Sequence, residues 1–495
     1  MHRNTKIIAT LGPSSNNEQV IEKLIQTGMD VARLNFSHGS HESHGRLIHL
    51  IRKASKKLNK PITILQDLQG PKLRVGNLPK NGYLLSAGRI ITLRPVIRNS
   101  DHQKSLNKSI IPLDIPCVFD HIKIGSRILM DDGKLELEVV DTAKSEISAR
   151  VILGGILYSN KGVNLPGTNL NIPSFTEKDH SDLIFGLEQG VDALAISFVH
   201  GPKDIQTVRD KIKQINPKLI DTPIIAKLEL PEAITNLDKI LTLADGVMVA
   251  RGDLGVETSP SAVPIIQKEI IQVASQKAKL VITATQMLDS MIENPRPTRA
   301  EASDVANAIF DGSDAVMLSG ETANGNYPVE SVAMMQSIII EAESHFKKWG
   351  RIFNTLQKNR EDDAFAISLA AKEIANERRI SSIAVFTKSG RSAILQSKAR
   401  PNVPILAFTP YERTYRRLGL YWGVIPYLVP LSNSMEEMIQ HVEEALINFS
   451  NISTGEKVVL VSGFPIGAMG VTNLALIHTI GNLNQKNEIN INTFI

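Results

Sequence analysis

Short apolar runs recur along the chain, and each run is followed by turn residues and then by a helix-like stretch. Eight of these runs are candidate strands: residues 6–11, 31–36, 62–68, 193–199, 224–228, 247–250, 280–284 and 315–318. Runs that are apolar on both faces and that alternate with helices indicate a parallel sheet. Eight such units predict an α/β fold in which a (β/α)8 TIM barrel closes on itself.

Polar residues follow nearly every run, at the point where the strand would end. In barrels of this kind the active site lies at the C-terminal ends of the strands, so these side chains are expected to share one pocket. They are Arg33, Asn35, Ser37, Asp67, Ser197, Lys227, Glu229, Asp253, Thr285, Ser319 and Glu321.

The connection between the third and fourth runs is about a hundred residues long, which is too long for a βα loop. Within it, residues 89–96, 127–130, 134–140 and 147–153 are short and alternating, and Asp-Gly and Gly-Gly turns separate them. This pattern is typical of β-strands. We predict an inserted all-β domain over residues 71–171, which would act as a lid that excludes water from the barrel mouth.

The pattern changes again after residue 346. Apolar runs at 383–386, 403–408, 423–429 and 457–462 alternate with helix-like stretches such as 364–378 and 434–449. We predict a barrel domain over residues 1–70 and 172–346 and a C-terminal α/β domain with an open sheet over 347–495. Because crevices at the strand ends of open sheets bind ligands, the C-terminal domain is a candidate regulatory module.

The composition is that of an ordinary globular protein, with 495 residues, 42% of them hydrophobic, and a formal net charge of +4. Basic residues are spread along the chain, which is atypical of nucleic-acid binding. Cys117 is the single cysteine, so a disulfide framework is excluded and a reducing compartment is favoured. Without a signal-peptide pattern or an apolar run of roughly 18 residues, we expect a cytoplasmic protein that binds no membrane.

Charge is concentrated at the ends of two consecutive strands. Side chains alternate along a strand, so Lys227 and Glu229 share one face, and Asp253 follows the next strand. Carboxylate oxygens are the ligands that a hard cation such as Mg²⁺ prefers, so we interpret this group as a metal site beside a lysine. A surface salt bridge is the alternative for an isolated pair, and the position at a barrel mouth favours the metal site.

Two further segments carry candidate chemistry. Arg33, Asn35 and Ser37 alternate along one strand, and an arginine there is a bidentate partner for phosphate or carboxylate, although a solvent-facing strand would show the same pattern. The glycine turn at residues 251–255 offers backbone N–H groups to an anion. The chain contains neither a G-x-x-x-x-G-K-[ST] loop nor a G-x-G-x-x-G after a strand.

Long strings in these segments resemble the pyruvate kinase family closely, in family order and over essentially the whole chain. They are TKIIATLGPSS from Thr5, RLNFSHG from Arg33, LQDLQGPKLR from Leu65, KGVNLPG from Lys161, IIAKLE from Ile224, GVMVARGDLGVE from Gly246, TATQML from Thr283, NPRPTRAEASDVANAIFDGSDAVMLSGETA from Asn294 and SGRSA from Ser389. The resemblance implies transfer of the phosphoryl group of phosphoenolpyruvate to ADP, which gives pyruvate and ATP in the last step of glycolysis.

The resemblance also implies roles for single residues. Glu229 and Asp253 would hold Mg²⁺ or Mn²⁺, and Lys227 would stabilise the phosphoryl group in flight and the enolate that it leaves. Arg33 and Arg74 would bind the phosphoryl oxygens, and the residues around the nucleotide would be Arg74, Asn35, His38 and Lys161. The backbone of Gly252 and Asp253, with the Thr285 hydroxyl, would bind the substrate carboxylate. A relay that protonates the enolate would consist of Thr285, Ser319 and Glu321.

One departure from the family pattern concerns potassium. Potassium-dependent pyruvate kinases carry Thr-Lys-Gly-Pro-Glu after the aspartate, whereas this chain has Leu-Gln-Gly-Pro-Lys from Leu68 to Lys72. The positions that match the potassium cavity are Asn35, Ser37, Asp67 and Leu68. Because a lysine ammonium is a compact charge, Lys72 would replace the cation there, and we predict activity without added potassium. The alternative is a Lys72 that points into solvent at the lid hinge.

A loop in the C-terminal domain resembles the family's effector site for sugar phosphates. It comprises Thr387, Lys388, Ser389, Gly390, Arg391 and Ser392, and a second loop at 462–470 would complete it. A glycine turn, hydroxyls and a helix N-terminus form a phosphate cradle, so activation by a phosphorylated metabolite is expected, although a capped turn without a ligand explains the same residues. The family further implies a homotetramer. His200 stands where the family often has arginine, and we assign no consequence to it.

Two other functions share parts of this pattern. Another barrel enzyme that acts on an enolpyruvate, such as a lyase or a phosphoenolpyruvate synthase, would also bind a metal through carboxylates, but it would lack the inserted β domain and the potassium-cavity residues. A non-catalytic homologue would have lost Lys227, Glu229, Asp253 or Arg33, and this chain keeps all four.

Overall fold

The predicted barrel is present. The computed structural model describes residues 3–95, 110–114, 118–143, 146–168, 172–351, 362–450, 452–465 and 472–481. Eight parallel strands close on themselves in chain order, which confirms the predicted fold class. Their bounds are Lys6–Thr10, Val31–Asn35, Thr63–Asp67, Ala193–Ile196, Ile224–Leu228, Gly246–Ala250, Leu280–Ala284 and Ala315–Leu318.

Alternation along the barrel strands divides their side chains between two apolar layers. Ile7 and Ala9 pack outward against the surrounding helices, whereas Ile8 packs inward with Leu65 and Met248. The inward layer continues into residues of the C-terminal domain, among them the buried ring of Tyr421. The opposite end of the barrel, where the strands finish, carries the polar residues.

Helices surround the barrel, and Thr298 caps the N-terminus of one of them. Its hydroxyl accepts a hydrogen bond from the Glu301 backbone N–H, and the Glu301 carboxylate accepts one from the Thr298 N–H, which is a capping box. The α-helices of this part of the chain are Glu18–Thr27, His41–Lys57, Glu177–Glu188, Pro202–Ile215, Pro231–Thr235, Leu237–Leu243, Arg251–Glu257, Val263–Gln276, Arg299–Asp311, Gly320–Ala323, Pro328–Ser344 and Phe346–Trp349. Short 3-10 helices lie at Pro13–Ser15, Pro217–Leu219 and Asp289–Ile292.

An inserted β domain follows the third barrel strand. It contains a six-stranded and a two-stranded sheet, and its strands are Tyr83–Leu85, Ile90–Pro95, Ile110–Leu113, Arg127–Met130, Leu135–Ala143, Glu146–Leu153, Gly155–Leu157 and Val163–Asn164, with a short helix at Val118–His121. The two chain crossings pair with each other, because the Val75 N–H donates to the Lys161 carbonyl and the Val163 N–H donates to the Leu73 carbonyl. We call these paired segments, residues 70–75 and 161–163, the hinge.

The C-terminal sheet has five strands: Ser382–Phe386, Ile405–Thr409, Val424–Leu428, Lys457–Ser462 and Leu474–Thr479. The last strand was not predicted, and it runs antiparallel at the edge of the sheet. The helices are Asp363–Glu377, Arg391–Ala399, Glu412–Leu418 and Met435–Phe449. Cys117 and residues 466–470 of the second predicted effector loop lie outside the described residues, and the domain limits at 70, 171 and 346 stay predictions. Among the helices described, none is long and apolar enough to cross a bilayer.

Candidate active site

A cleft of about 1050 Å³, partly open to solvent, lies between the barrel mouth and the inserted domain. Its floor and one wall come from strand ends of the barrel, and its other wall comes from the inserted domain. The predicted site residues that line it are Arg33, Asn35, Ser37, His38, Lys72, Arg74, Lys161, Ser197, Lys227, Glu229, Asp253 and Thr285. The barrel therefore brings together residues that are up to about 250 positions apart in the sequence.

Lys227 is the centre of the charge network in this cleft. Its Nζ donates to the Ser197 Oγ at 2.7 Å and lies 2.9 Å from Glu229 Oε1 and 3.4 Å from Asp67 Oδ1. Burial alone would lower the pKa of Lys227, but the carboxylates of Asp67 and Glu229 outweigh it and raise this pKa above its ordinary value. Lys227 therefore stays an ammonium throughout the neutral range.

Arg33, on the Val31–Asn35 strand, is held by one partner on each of the two adjacent strands. Its Nε donates to Asp67 Oδ2 at 2.7 Å, and its Nη1 donates to the Thr10 hydroxyl at 2.9 Å. Asp67 is fully buried, which by itself would raise the pKa of this carboxyl, but Lys227 and Arg33 hold it below its usual range. Asp67 is thus a buried anion that fixes two cations at the base of the cleft.

Glu229 and Asp253 are the carboxylates that fit a divalent cation. Glu229 is buried, and its second oxygen accepts the Phe198 backbone N–H at 2.6 Å. Burial raises the pKa of Glu229, Lys227 opposes this effect, and Asp253 adds to it. No group of three or more His, Cys, Asp or Glu with metal-site geometry occurs among the described residues. Two carboxylates fit Mg²⁺, because this ion binds proteins through one or two carboxylates and takes its other ligands from water and substrate phosphates.

Thr285 and Gly252 meet at the next pair of strand ends. The Gly252 N–H donates to the Thr285 hydroxyl at 2.9 Å, and Thr285 has a left-handed backbone with φ of 67°. The predicted glycine turn is instead the start of a short helix, Arg251–Glu257. Arg251 anchors this helix through an ion pair of 2.7 Å to Asp304.

The predicted nucleotide residues lie on the side of the cleft that faces the inserted domain. Arg74 donates to the Asn160 carbonyl at 2.8 Å, and Lys161 forms an ion pair of 2.7 Å with Asp131. The side chain of Asn35 accepts the Ser37 N–H at 3.1 Å. Burial lowers the pKa of His38, and the nearby cations Arg74 and Lys72 lower it further. His38 is therefore neutral at pH 7.

Ser319 and Glu321 lie outside the set of residues that line the cleft. The Glu321 carboxylate is buried and accepts the backbone N–H groups of Ser319, at 2.7 Å, and Leu288, at 3.1 Å. The bond to Ser319 satisfies the backbone where the last barrel strand turns into the Gly320–Ala323 helix, and the bond to Leu288 joins this turn to the segment after the Leu280–Ala284 strand. They give Glu321 a packing role that the sequence did not reveal, and its part in a proton relay stays a prediction.

The residues of the predicted potassium cavity are partly occupied by protein partners. Asp67 holds Arg33 and Lys227 as described, and the Leu68 carbonyl accepts the Ser197 hydroxyl at 2.7 Å. Asn35 and Ser37 line the open cleft. Lys72 points into the same cleft, where its Nζ lies 3.1 Å from Asp253 Oδ1.

Four further residues with polar side chains line the cleft, and sequence reasoning did not assign them to the site: Gln69, Asp131, Asp132 and Asn160. Asp131 and Asp132 have left-handed backbones, with φ of 53° and 57°, in the turn after the Arg127–Met130 strand. Left-handed non-glycine residues are uncommon and cluster at functional sites. The signal in the sequence is the Asp-Asp-Gly string, which by itself predicts only a β-turn.

The predicted effector loop lies at the end of the first strand of the C-terminal sheet. The Thr387 hydroxyl accepts the Gly390 N–H at 3.0 Å, and Gly390, with φ of 92°, begins the Arg391–Ala399 helix. Ser392 is buried against the Thr472 hydroxyl at 2.6 Å, and Arg391 pairs with Asp362 at 2.7 Å. The loop has the form of a cradle, and whether it binds a phosphate stays a prediction.

The comparison with known proteins agrees with this geometry. Residues 2–332 match the family described as "Pyruvate kinase, barrel domain", and residues 365–478 match "Pyruvate kinase, alpha/beta domain". The chain is 42% identical to the pyruvate kinase of Geobacillus stearothermophilus over 492 residues, which cover 99% of this chain and 82% of that protein. It is 42% identical to the pyruvate kinase of Clostridium perfringens, over 96% of this chain and 99% of that protein. It is 44% identical to pyruvate kinase 2 of Synechocystis, over 97% of this chain and 79% of that protein. The chain therefore belongs to the pyruvate kinase family, and it is a phosphotransferase.

Proposed function

We propose that this enzyme moves the phosphoryl group of phosphoenolpyruvate to ADP with Mg²⁺ or Mn²⁺ held by Glu229 and Asp253. The observation that carries this proposal is the charge network of the cleft, in which Lys227 lies 2.9 Å from Glu229 and Asp67 lies against both Lys227 and Arg33. Phosphoryl transfer requires positioning and charge stabilisation more than covalent chemistry by the protein. A divalent cation at the two carboxylates would neutralise phosphoryl and carboxylate oxygens of the bound substrate.

The protein side chains supply the remaining charge. Lys227 and Arg33 are fixed by Asp67 before any ligand binds, so little reorganisation is needed when negative charge develops on the transferred group. The raised pKa of Lys227 keeps its ammonium available for the enolate oxygen that remains after transfer. The Thr285 hydroxyl, 2.9 Å from the Gly252 N–H, would hold the substrate carboxylate with that N–H and would begin the relay that protonates the enolate carbon.

The inserted β domain acts as the lid in this proposal. It brings Lys161 and Arg74 to the nucleotide end of the cleft, and closure about the hinge would exclude water. Removal of water strengthens each charge interaction in the site.

We further propose that the enzyme turns over without added potassium, because Lys72 supplies an ammonium to the cleft that Asn35 and Ser37 line. A coupled assay of ADP-dependent pyruvate formation, in Tris buffer with Mg²⁺ and without potassium, tests activity and potassium independence together. We expect a rate that potassium raises less than twofold. Near-zero rates that potassium restores would contradict potassium independence, and no pyruvate under either condition would contradict the catalytic assignment.

Lys72→Glu is the matched variant, because it installs the residue of the potassium-dependent pattern at the same position. We expect this variant to lose most of its activity in potassium-free buffer and to regain it when potassium is added. Equal potassium-free rates for the variant and the parent enzyme would show that Lys72 does not supply the cation.

Regulation and assembly complete the proposal. The Thr387–Gly390 turn and the helix that begins at Arg391 support activation by a phosphorylated metabolite. Membership of the pyruvate kinase family is the support for a cytoplasmic homotetramer. Activity titrated against AMP, ribose 5-phosphate and fructose 1,6-bisphosphate at low phosphoenolpyruvate identifies the effector. Size-exclusion chromatography with light scattering measures the assembly.

A further inference from the structure

The hinge lysine has a partner that its proposed role does not explain. Lys72 Nζ lies 3.1 Å from Asp253 Oδ1, and both side chains are about four-fifths buried, with exposures of 23% and 19%. Asp253 is also one of the two carboxylates that fit the divalent cation. The ammonium therefore contacts a carboxylate oxygen that the metal would need as a ligand.

The position of Lys72 is set by the hinge. The Lys72 N–H donates to the Gly70 carbonyl at 3.0 Å, which fixes the turn that precedes the inserted domain. Its carbon stem packs on the returning segment, since a Cβ added to Gly162 would lie only 3.1 Å from Lys72 Cε. The ammonium is thus held between the barrel carboxylate and the inserted domain.

We propose that Lys72 competes with the divalent cation for Asp253. In the metal-free enzyme the ammonium compensates the carboxylate, and binding of the cation releases the ammonium into the cleft that Asn35 and Ser37 also line. A cation of charge +2 repels an ammonium that shares its ligand, so the two cannot occupy the same carboxylate oxygen at close range. This inference rests on the proposed function, because Asp253 is a metal ligand only there.

The competition has a cost and a benefit. It weakens metal binding to the empty enzyme, because the cation must first displace a paired ammonium. It also makes metal binding the event that frees a positive charge next to the site of an anionic substrate. Metal and phosphoenolpyruvate would then bind cooperatively through Lys72.

The test measures Mn²⁺ binding to the enzyme without substrates and without potassium, by the electron paramagnetic resonance signal of free Mn²⁺. We expect Lys72→Met to bind Mn²⁺ about fivefold more tightly than the parent enzyme, which corresponds to about 1 kcal/mol. Lys72→Arg keeps a cation opposite Asp253, so its dissociation constant should stay within about twofold of the parent value.

Lys161→Met is the matched control. Lys161 lines the same cleft and carries the same charge, but it pairs with Asp131 and not with Asp253. Its replacement changes the electrostatic potential of the cleft but removes no cation that competes for Asp253, so we expect a change in Mn²⁺ affinity of less than twofold. Equal tightening by Lys72→Met and Lys161→Met would overturn the inference, as would an unchanged or weaker affinity of Lys72→Met.

Two features keep this test separate from the proposed function. The binding measurement needs no turnover. If the parent enzyme is active without potassium but Lys72→Met does not bind Mn²⁺ more tightly, the inferred competition is wrong and the proposed function still stands. Thermal melting checks that each variant is folded, and Lys72→Gln, which lacks the charge but keeps a polar end, should show the same tightening as Lys72→Met. Opposite results from these two neutral variants would also overturn the inference.

Discussion

Replacement of Asp314 by asparagine should destabilise the protein strongly, far from the active site. Asp314 is fully buried at the start of the eighth barrel strand. Its carboxylate pairs with the buried ammonium of Lys398 and, at 2.9 Å, with Arg400, both at the end of the Arg391–Ala399 helix. The same carboxylate accepts the Val281 N–H at 2.7 Å. One anion thus joins two barrel strands to the C-terminal domain.

The magnitude follows from the balance of charge. Two cations and one anion leave the cluster at +1, and Asp314→Asn would raise it to +2, because buried Lys398 and partly buried Arg400 both remain. Removing one partner from a buried ion pair in this way costs about 3 to 5 kcal/mol. Lys398→Met should cost only about 1 kcal/mol, because it leaves a neutral pair of Asp314 and Arg400 and relieves the burial that lowers the pKa of Lys398.

The protein contains a natural reporter for this experiment. The chain has two tryptophans, and the ring of Trp422 lies 4.5 Å below the Arg400 guanidinium and is 8% exposed, whereas Trp349 is 61% exposed. Urea unfolding followed by tryptophan fluorescence therefore reports on this contact. For Asp314→Asn we expect a midpoint lower by about 1 to 2 M. Equal shifts for Asp314→Asn and Lys398→Met would refute the charge-balance argument.

Three other changes have defined outcomes. Ser197→Ala removes the hydroxyl that links Lys227 to the Leu68 carbonyl and should lower kcat about tenfold with a smaller effect on KM, so an unchanged kcat in steady-state assays would count against a positioning role. Gly70→Ala places a Cβ at a left-handed turn residue, with φ of 67°, where the Ser197 Cβ is only 3.0 Å away. This change should lower the free energy of unfolding in urea by about 1 to 2 kcal/mol, and an unchanged free energy would mean that the turn relaxes. Burial lowers the pKa of Lys6 from 10.5 to about 8 in the folded protein. Between pH 8 and 10.5 the unfolded chain therefore binds one proton at this lysine that the folded protein does not, so the free energy of unfolding rises with pH across this range. Thermal melts should show that the stability of Lys6→Met relative to the parent declines across this range, and a constant difference would contradict the linkage.

The strand ends of the site were predictable because their geometry is local. A period of two along Ile224–Leu228 places Lys227 on the same face as Glu229, and the observed distance of 2.9 Å between their charged atoms agrees with this. The eight barrel strands were found for the same reason, since each is apolar on both faces. The edge strand Leu474–Thr479 was missed because it is half exposed and antiparallel, so it lacks the pattern that identified the others.

Contacts between distant segments were beyond the sequence. Lys72 and Asp253 are 181 residues apart and meet only because the inserted domain returns to the barrel at the hinge. Asp131 and Asp132 reach the cleft for the same reason. The backbone contacts of Glu321 were also beyond the sequence, because a buried carboxylate that accepts backbone N–H groups cannot be told by sequence from one that transfers protons.

Three cations and three carboxylates pair at the mouth of the barrel: Arg33 with Asp67, Lys227 with Glu229 and Asp67, and Lys72 with Asp253. Each cation is already compensated, so an anionic substrate that entered alone would gain little from them. A divalent cation at Glu229 and Asp253 would change this balance, because it would take over two of the three carboxylates. Lys72 would lose its anion, and Lys227 would keep only Asp67, which also holds Arg33. The excess positive charge then falls where a phosphoryl group and a carboxylate would lie. On this reasoning the metal does more than bridge protein and substrate: it turns a neutral cleft into an anion site, which makes an ordered preference for metal before phosphoenolpyruvate a consequence of the pairing.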